Sequence, residues 1–258
     1  MSGCGTTTNA LSYGGTPPNT ADTNEWIVGV PIGVWATGGA LNTSRENLAG
    51  SGTYTAALGF GGYAPGAGAP VGDTESYNGT SWTEVNDLNT GRRSYVGAGT
   101  QSAAINVSGY DGSSDVSNTE LWNGTNWTEV NNCNTARRTI AGSKQSSTST
   151  LIFGGIPSKN ETELWNGTNW TEVNNLNTGR QQMSGAGADN TSALGFGGEP
   201  QTAATESWNG TNWTEVNDLN VGRGTAGGAG TYTLALAFGG GGRTNSSEAW
   251  TETGGTVT

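Results

Sequence analysis

Histidine is absent from these 258 residues, and no residue that is present narrows the function as much. Without imidazole there is no Ser-His-Asp triad, no Cys–His nucleophile and few of the usual zinc, iron or copper ligand sets. Cysteine is nearly missing too: Cys4 and Cys133 are too few for a disulfide framework. Two isolated thiols are expected, with pairing open only if their strands adjoin. Ten basic residues stand against 21 acidic ones, a net charge of −11, which disfavours nucleic acid and anionic membrane as partners. No run of 18 apolar residues offers a membrane span. A basic and apolar secretion signal is also lacking, as is the apolar stretch that a lipoprotein signal needs before Cys4.

What remains is glycine, at 45 positions, in a chain only 32% hydrophobic and 12% charged. Such a composition permits disorder, but ten regularly placed tryptophans oppose it, because disordered chains are poor in aromatics. Trp82, Trp127, Trp170 and Trp213 each open a segment of the type WTEVNNLNTGR, and Trp35 opens a looser copy, WATGGALNTSR. The arginine follows its tryptophan by ten residues in all five, and successive tryptophans stand 47, 45, 43 and 43 apart. A period in the forties with strand-like content means stacked or radially arrayed units. No composition shift marks an interior boundary, so residues 1–258 read as one domain.

Within one unit the segments separate cleanly. Arg137 to Ser143 begins a first strand, Thr150 to Phe153 forms a second that ends at Gly154-Gly155, and Thr162 to Trp165 forms a third. Asn166-Gly167 then predicts a two-residue type I′ turn into a fourth strand, Thr168 to Val173. The first strands are crowded with small residues, as in Gly97-Ala98-Gly99, which suits a narrow central axis. The second strands, such as Leu234-Ala235-Leu236-Ala237-Phe238, are continuously apolar, which predicts burial on both faces. The fold class is therefore all-β: a β-propeller of four-stranded antiparallel blades. Six second-strand signals favour six blades. Five or seven follow if a terminal strand is missing or exchanged, and Thr256-Val257-Thr258 is the candidate for a degenerate outermost strand.

The chain resembles the kelch-repeat family in several features. Double glycines follow the apolar strands (Gly14-Gly15, Gly61-Gly62, Gly154-Gly155, Gly197-Gly198, Gly239-Gly240). An aromatic comes next (Trp26, Tyr77, Trp122, Trp165, Trp208, Trp250), and then a Trp and an Arg. The third unit departs, reading Val107-Ser108-Gly109. In texture the chain is similar to Asn-Gly-Thr-Trp-rich kelch-like arrays of marine bacteriophage tail or fibre proteins. That resemblance implies a virion or extracellular setting. Kelch-like copper oxidases use histidine ligands, so that activity does not carry over.

Residues repeated in every unit suit structure better than a site used once. Arg45, Arg92, Arg137, Arg180 and Arg223 are expected to pair with backbone carbonyls or with a recurrent glutamate between blades, from the set Glu25, Glu75, Glu120, Glu163, Glu206 and Glu248. Trp82, Trp127, Trp170 and Trp213 read as inter-blade core, and Glu84, Glu129, Glu172 and Glu215 as solvated. The frequent Asn-x-Ser/Thr triplets fall inside the repeat and take a structural reading, consistent with a prokaryotic or viral source. Trp122, Trp165 and Trp208, in the outer hairpins, are candidates for ligand contact beside a core reading. The loops between second and third strands vary and share one end of the molecule. The first three are longest and carry Tyr63, Tyr110, Asp111 and Asp115. Tyr63 and Tyr110 are the ligand-binding candidates there. Asp111 and Asp115 have spacing suited to a weak calcium site, although a plain polar turn is the first reading. No catalytic residue and no other cofactor is assigned.

These readings lead to a non-enzymatic binding or display domain of a virion that recognises a host cell-surface glycan or protein. A structural phage protein contacting other virion subunits is the alternative, and an enzyme acting on polysaccharide through paired carboxylates is a third.

Overall fold

Each four-stranded repeat turns one glycine-rich or small-residue segment, one apolar segment and two aromatic-bearing segments into strands, because the β-branched and aromatic residues alternate with tight-turn residues. The structure is a computed structural model. It describes residues 37–241 and 246–252 in full, and four strands before them by backbone alone.

The first sheet contains β1 (Ser2–Gly5), β2 (Asn9–Tyr13), β3 (Thr23–Ile27) and β4 (Val34–Thr37). The second contains β5 (Ala49–Thr53), β6 (Ala56–Phe60), β9 (Thr74–Tyr77) and β10 (Trp82–Val85), with a two-stranded flap, β7 (Tyr63–Ala64) and β8 (Ala69–Pro70), in its loop. Then come β11 (Val96–Gly99), β12 (Ala104–Val107), β13 (Thr119–Trp122) and β14 (Trp127–Val130). The fourth sheet is β15 (Ala141–Gly142), β16 (Thr150–Phe153), β17 (Thr162–Trp165) and β18 (Trp170–Val173). The fifth is β19 (Ser184–Ala186), β20 (Ala193–Phe196), β21 (Thr205–Trp208) and β22 (Trp213–Glu215). The last holds β23 (Gly227–Gly230), β24 (Leu234–Phe238) and β25 (Ser247–Thr251).

Every sheet is an antiparallel meander, so the molecule is a β-propeller. The innermost strands follow one another around the axis as β1, β5, β11, β15, β19 and β23, and β23 returns against β1 to close the ring. Among the described residues five blades have four strands, and a three-stranded sheet takes the sixth position. Thr256-Val257-Thr258 lies outside the described residues, as does most of the first long loop.

Small residues on the inner strands are explained by crowding between neighbouring blades rather than by the axis alone. A Cβ on Gly97 would lie 2.6 Å from the Phe60 ring, and one on Gly228 would lie 2.4 Å from Ser184 Oγ. The second strands β12, β16 and β20 are buried at every position, as expected of sheets sandwiched between sheets.

One local expectation fails. The outer hairpins are not two-residue type I′ turns, because Tyr77 pairs with Trp82 and Trp165 with Trp170, leaving four-residue loops. Gly167 has a positive φ of 92°, whereas Asn166 uses its side chain instead. Its Oδ1 accepts the N–H groups of Thr168 and Asn169. The same cap recurs at Asn78, Asn123 and Asn209.

The repeated segment is a blade-to-blade connector. Arg137, at the end of one, donates to the carbonyls of Gly154 and Glu161 and pairs with Glu163 Oε1 at 2.9 Å, all in the next blade. Asn134 gives its backbone and side-chain N–H groups to Glu163 Oε2. Arg45–Glu75, Arg180–Glu206 and Arg223–Glu248 repeat the clamp, so the expected inter-blade pairing is present. The tryptophan locks the blade to the one before it. Nε1 of Trp127, Trp170 and Trp213 donates to Oγ1 of Thr74, Thr119 and Thr162 respectively.

Candidate functional site

Polypeptide direction puts the inter-blade connectors and the loops after the double glycines at the same end of the propeller. The residue after each buried arginine pairs there with the residue after the double glycine. Glu46 and Tyr63 exchange backbone hydrogen bonds, as do Arg93 and Tyr110. Ile156 and Glu199 donate to the carbonyls of Arg138 and Gln181 in the following two blades. The next residue in each connector is left-handed: Asn47, Ser94, Thr139, Gln182 and Thr225 have φ between 53° and 60°. From Ser94 onward each gives its N–H to the carbonyl of its counterpart in the preceding blade. This chain of peptides holds the connector residues rigidly, a fitting scaffold for recognition.

Chemistry varies at the position that follows the buried arginine: Glu46, Arg93, Arg138, Gln181 and Gly224. Tyr63 and Tyr110, far apart in sequence, are brought together by Arg93. Its guanidinium carbon stands 4.9 Å from the Tyr63 ring centroid and 5.4 Å from that of Tyr110. Arg138 continues the series at 4.6 Å from the Tyr110 ring. The result is a ladder, Tyr63–Arg93–Tyr110–Arg138, across three blades, held by contacts each worth about 0.5–1 kcal/mol at such half-exposed positions. Asp115 neutralises Arg138 at 3.1 Å. Arg93 pairs with no carboxylate among the described residues. Its fork of N–H donors between two aromatic faces suits a carboxylate attached to a stacking ring.

The weak calcium reading finds no support in this geometry. Asp111 Oδ1 accepts from Ser113 N, Ser113 Oγ and Ser114 N, which makes it the hub of a turn. Those backbone N–H groups, Ser114 first, hold its carboxyl below the usual carboxylate range. Asp115 faces Arg138, and no group of three ligand side chains gathers among the described residues.

Trp122, Trp165 and Trp208 require a correction: they do not face a ligand. Their exposures are 4%, 0% and 0%, and each ring packs 5.3–5.5 Å from the tryptophan that follows it, Trp127, Trp170 or Trp213. The four-residue hairpin turns the pair of rings inward together. Arg93 and Arg138, by contrast, escaped the sequence reading. Their signal was present in the doubled arginines Arg92-Arg93 and Arg137-Arg138, where the first is structural and the second is not.

The most strongly raised pKa values lie inside. Burial pushes the Cys133 thiol up to about 11, with Glu163 adding to the shift, and burial raises the Tyr95 hydroxyl. Cys133 is free, in the core between blades.

No protein-family model and no curated protein sequence matches the chain. Among solved structures the fold is similar to that of YjhT. The superposition has a TM-score of 0.80 at 12% identity and covers 96% of this chain and 92% of that one. At that identity the likeness concerns fold alone.

Proposed function

We propose that this propeller is a non-enzymatic recognition domain, displayed on a virion or otherwise outside the cell, that binds a host-surface glycan or protein through its long-loop end. The observation that carries the reading is the Tyr63–Arg93–Tyr110–Arg138 ladder, in which Arg93 pairs with no carboxylate among the described residues. Two tyrosine faces offer stacking surface to a sugar ring, and the guanidinium between them offers paired donors to an acidic substituent. The kelch resemblance and the phage-like repeat texture support the setting. Binding of the purified chain to a broad glycan and bacterial-surface array tests it. Saturable binding is expected, lost in Tyr63→Ala and Tyr110→Ala with melting unchanged, and selectively lost for acidic ligands in Arg93→Gln. Absence of binding across the array, or binding that ignores all three substitutions, overturns the reading.

A second reading, a structural subunit that contacts other virion proteins, is favoured by the edge of β25, with which no further strand pairs among the described residues.

A further inference from the structure

The arginine clamp of the third blade buries a set of hydrogen-bonding atoms with no partner among the described residues. They are Nε, Nη1 and Nη2 of Arg92, Nδ2 and Oδ1 of Asn106, and Oε1 of Glu120. All three residues are wholly buried. In Arg45, Arg137 and Arg180 the same clamp leaves only Nε without a partner. There Nη1 reaches two backbone carbonyls and Nη2 reaches a carboxylate oxygen. Arg92 Nη2 stands 3.0 Å from Glu120 Oε1, close enough to attract it but not aligned as a hydrogen bond.

Strand register brings the three side chains together. Asn106 on β12 pairs directly with Glu120 on β13, and residues facing one another in paired strands project to the same side of the sheet. Ala104 and Trp122, two positions along, share that side and pack with Phe60 of the second blade. Asn89 and Arg92, in the connector from the second blade, meet Glu120 there. In the other blades the residue opposite the clamp glutamate is Gly59, Ile152, Gly195 or Ala237, none with a polar side chain. The third blade therefore adds an amide where its neighbours have carbon or nothing. It also carries Ser108 in place of the glycine whose carbonyl the other arginines reach.

We infer that this clamp is a binding site for buried water, which bridges Arg92, Asn106 and Glu120. Buried donors and acceptors without partners are costly, so the cluster calls for a guest that supplies both. Arg92 and the Asn106 Nδ2 need acceptors, whereas Asn106 Oδ1 and Glu120 Oε1 need donors. A halide only accepts and an ammonium ion only donates. Arg92 and Glu120 cancel in charge, so either ion would bring an unpaired charge into the core. Complete burial of all three side chains restricts the guest to the smallest molecules. Water meets every condition, and folded domains enclose it on such groups. In this blade it takes the place of the direct arginine-to-carbonyl bonds of the others.

A crystal structure of the full chain at atomic resolution tests this directly. Solvent density is expected within hydrogen-bond distance, about 2.7–3.2 Å, of an Arg92 Nη atom and of the Asn106 amide. Oxygen-17 relaxation dispersion gives a second readout in solution, because it counts waters held inside the protein for longer than the protein tumbles. Asn106→Ile, which copies Ile152 of the fourth blade, should lower that count while melting stays cooperative. Direct Arg92 bonds to the carbonyls of Ser108 and Asn118, with no density between, overturn the inference. So does a halide at the site, revealed by anomalous scattering after transfer to bromide, or an unchanged water count in folded Asn106→Ile. If that variant does not fold, the density beside Arg92 in the parent chain decides.

Discussion

At the scale of single residues, the five buried arginines are not equivalent. Arg137 donates to two carbonyls and pairs with Glu163, and Arg180 does the same with its own set. Arg92 stands 3.0 Å from Glu120 but makes no hydrogen bond with its Nε, Nη1 or Nη2. Its blade is the one in which Ser108, at φ 68°, replaces the first glycine of the pair. Burial lowers the Arg92 pKa, against the pull of Glu120. Arg137→Ala should cost about 3–5 kcal/mol, because it strands a buried carboxylate. Arg92→Ala should cost about 1–2 kcal/mol less, since no carbonyl bond is lost with it. Urea unfolding midpoints of the two variants check the order, and equal losses would refute it.

At the scale of the element, the connector carries one substitution that isolates a single effect. Leu41, Leu88, Leu176 and Leu219 occupy the position that Cys133 takes after the fourth strand of the third blade. The Cys133 thiol is raised from 9.0 to about 11, so the folded state resists its ionisation. The stability this contributes is complete below about pH 9 and is lost as pH climbs through about 11. Cys133→Leu should leave stability at pH 7 within about 1.5 kcal/mol of the parent and flatten the decline above pH 9. Chemical unfolding at pH 7 and pH 10 measures both effects. Native Cys133 should also resist thiol reagents until the chain unfolds. The type I′ expectation failed at this scale because an Asn side chain can close a loop as a backbone turn would. Asn-Gly announced the hairpin but not its length.

At the scale of the whole molecule, closure depends on strands from the two ends of the chain, since β1 meets β23. Removing residues 224–258 takes away the partner of β1 on that side and the neighbour of β19 as well. The shortened chain should lose its single cooperative melting transition and aggregate, while the full chain stays monodisperse. Size exclusion together with thermal melting distinguishes these outcomes, and a sharp transition in the shortened chain would show that closure contributes little. The proposed recognition surface also belongs to this scale. The tyrosine–arginine ladder spans three blades.

The sequence by itself determined the propeller, the four-strand unit, the buried second strands and the structural role of each repeated arginine, clamped by carbonyls or a glutamate between blades. All of these are periodic, and periodic residues repeat their neighbourhood whenever the unit repeats. The tertiary structure decided what breaks the period. It buried Trp122, Trp165 and Trp208 by setting the hairpin length. It placed Arg93 between Tyr63 and Tyr110, which lie on loops of separate blades. Strand pairing inside a blade is local and follows from the alternation of residues along the chain. Contacts between blades join residues about 45 positions apart, so they emerge only once the ring sets each blade's angle to the next.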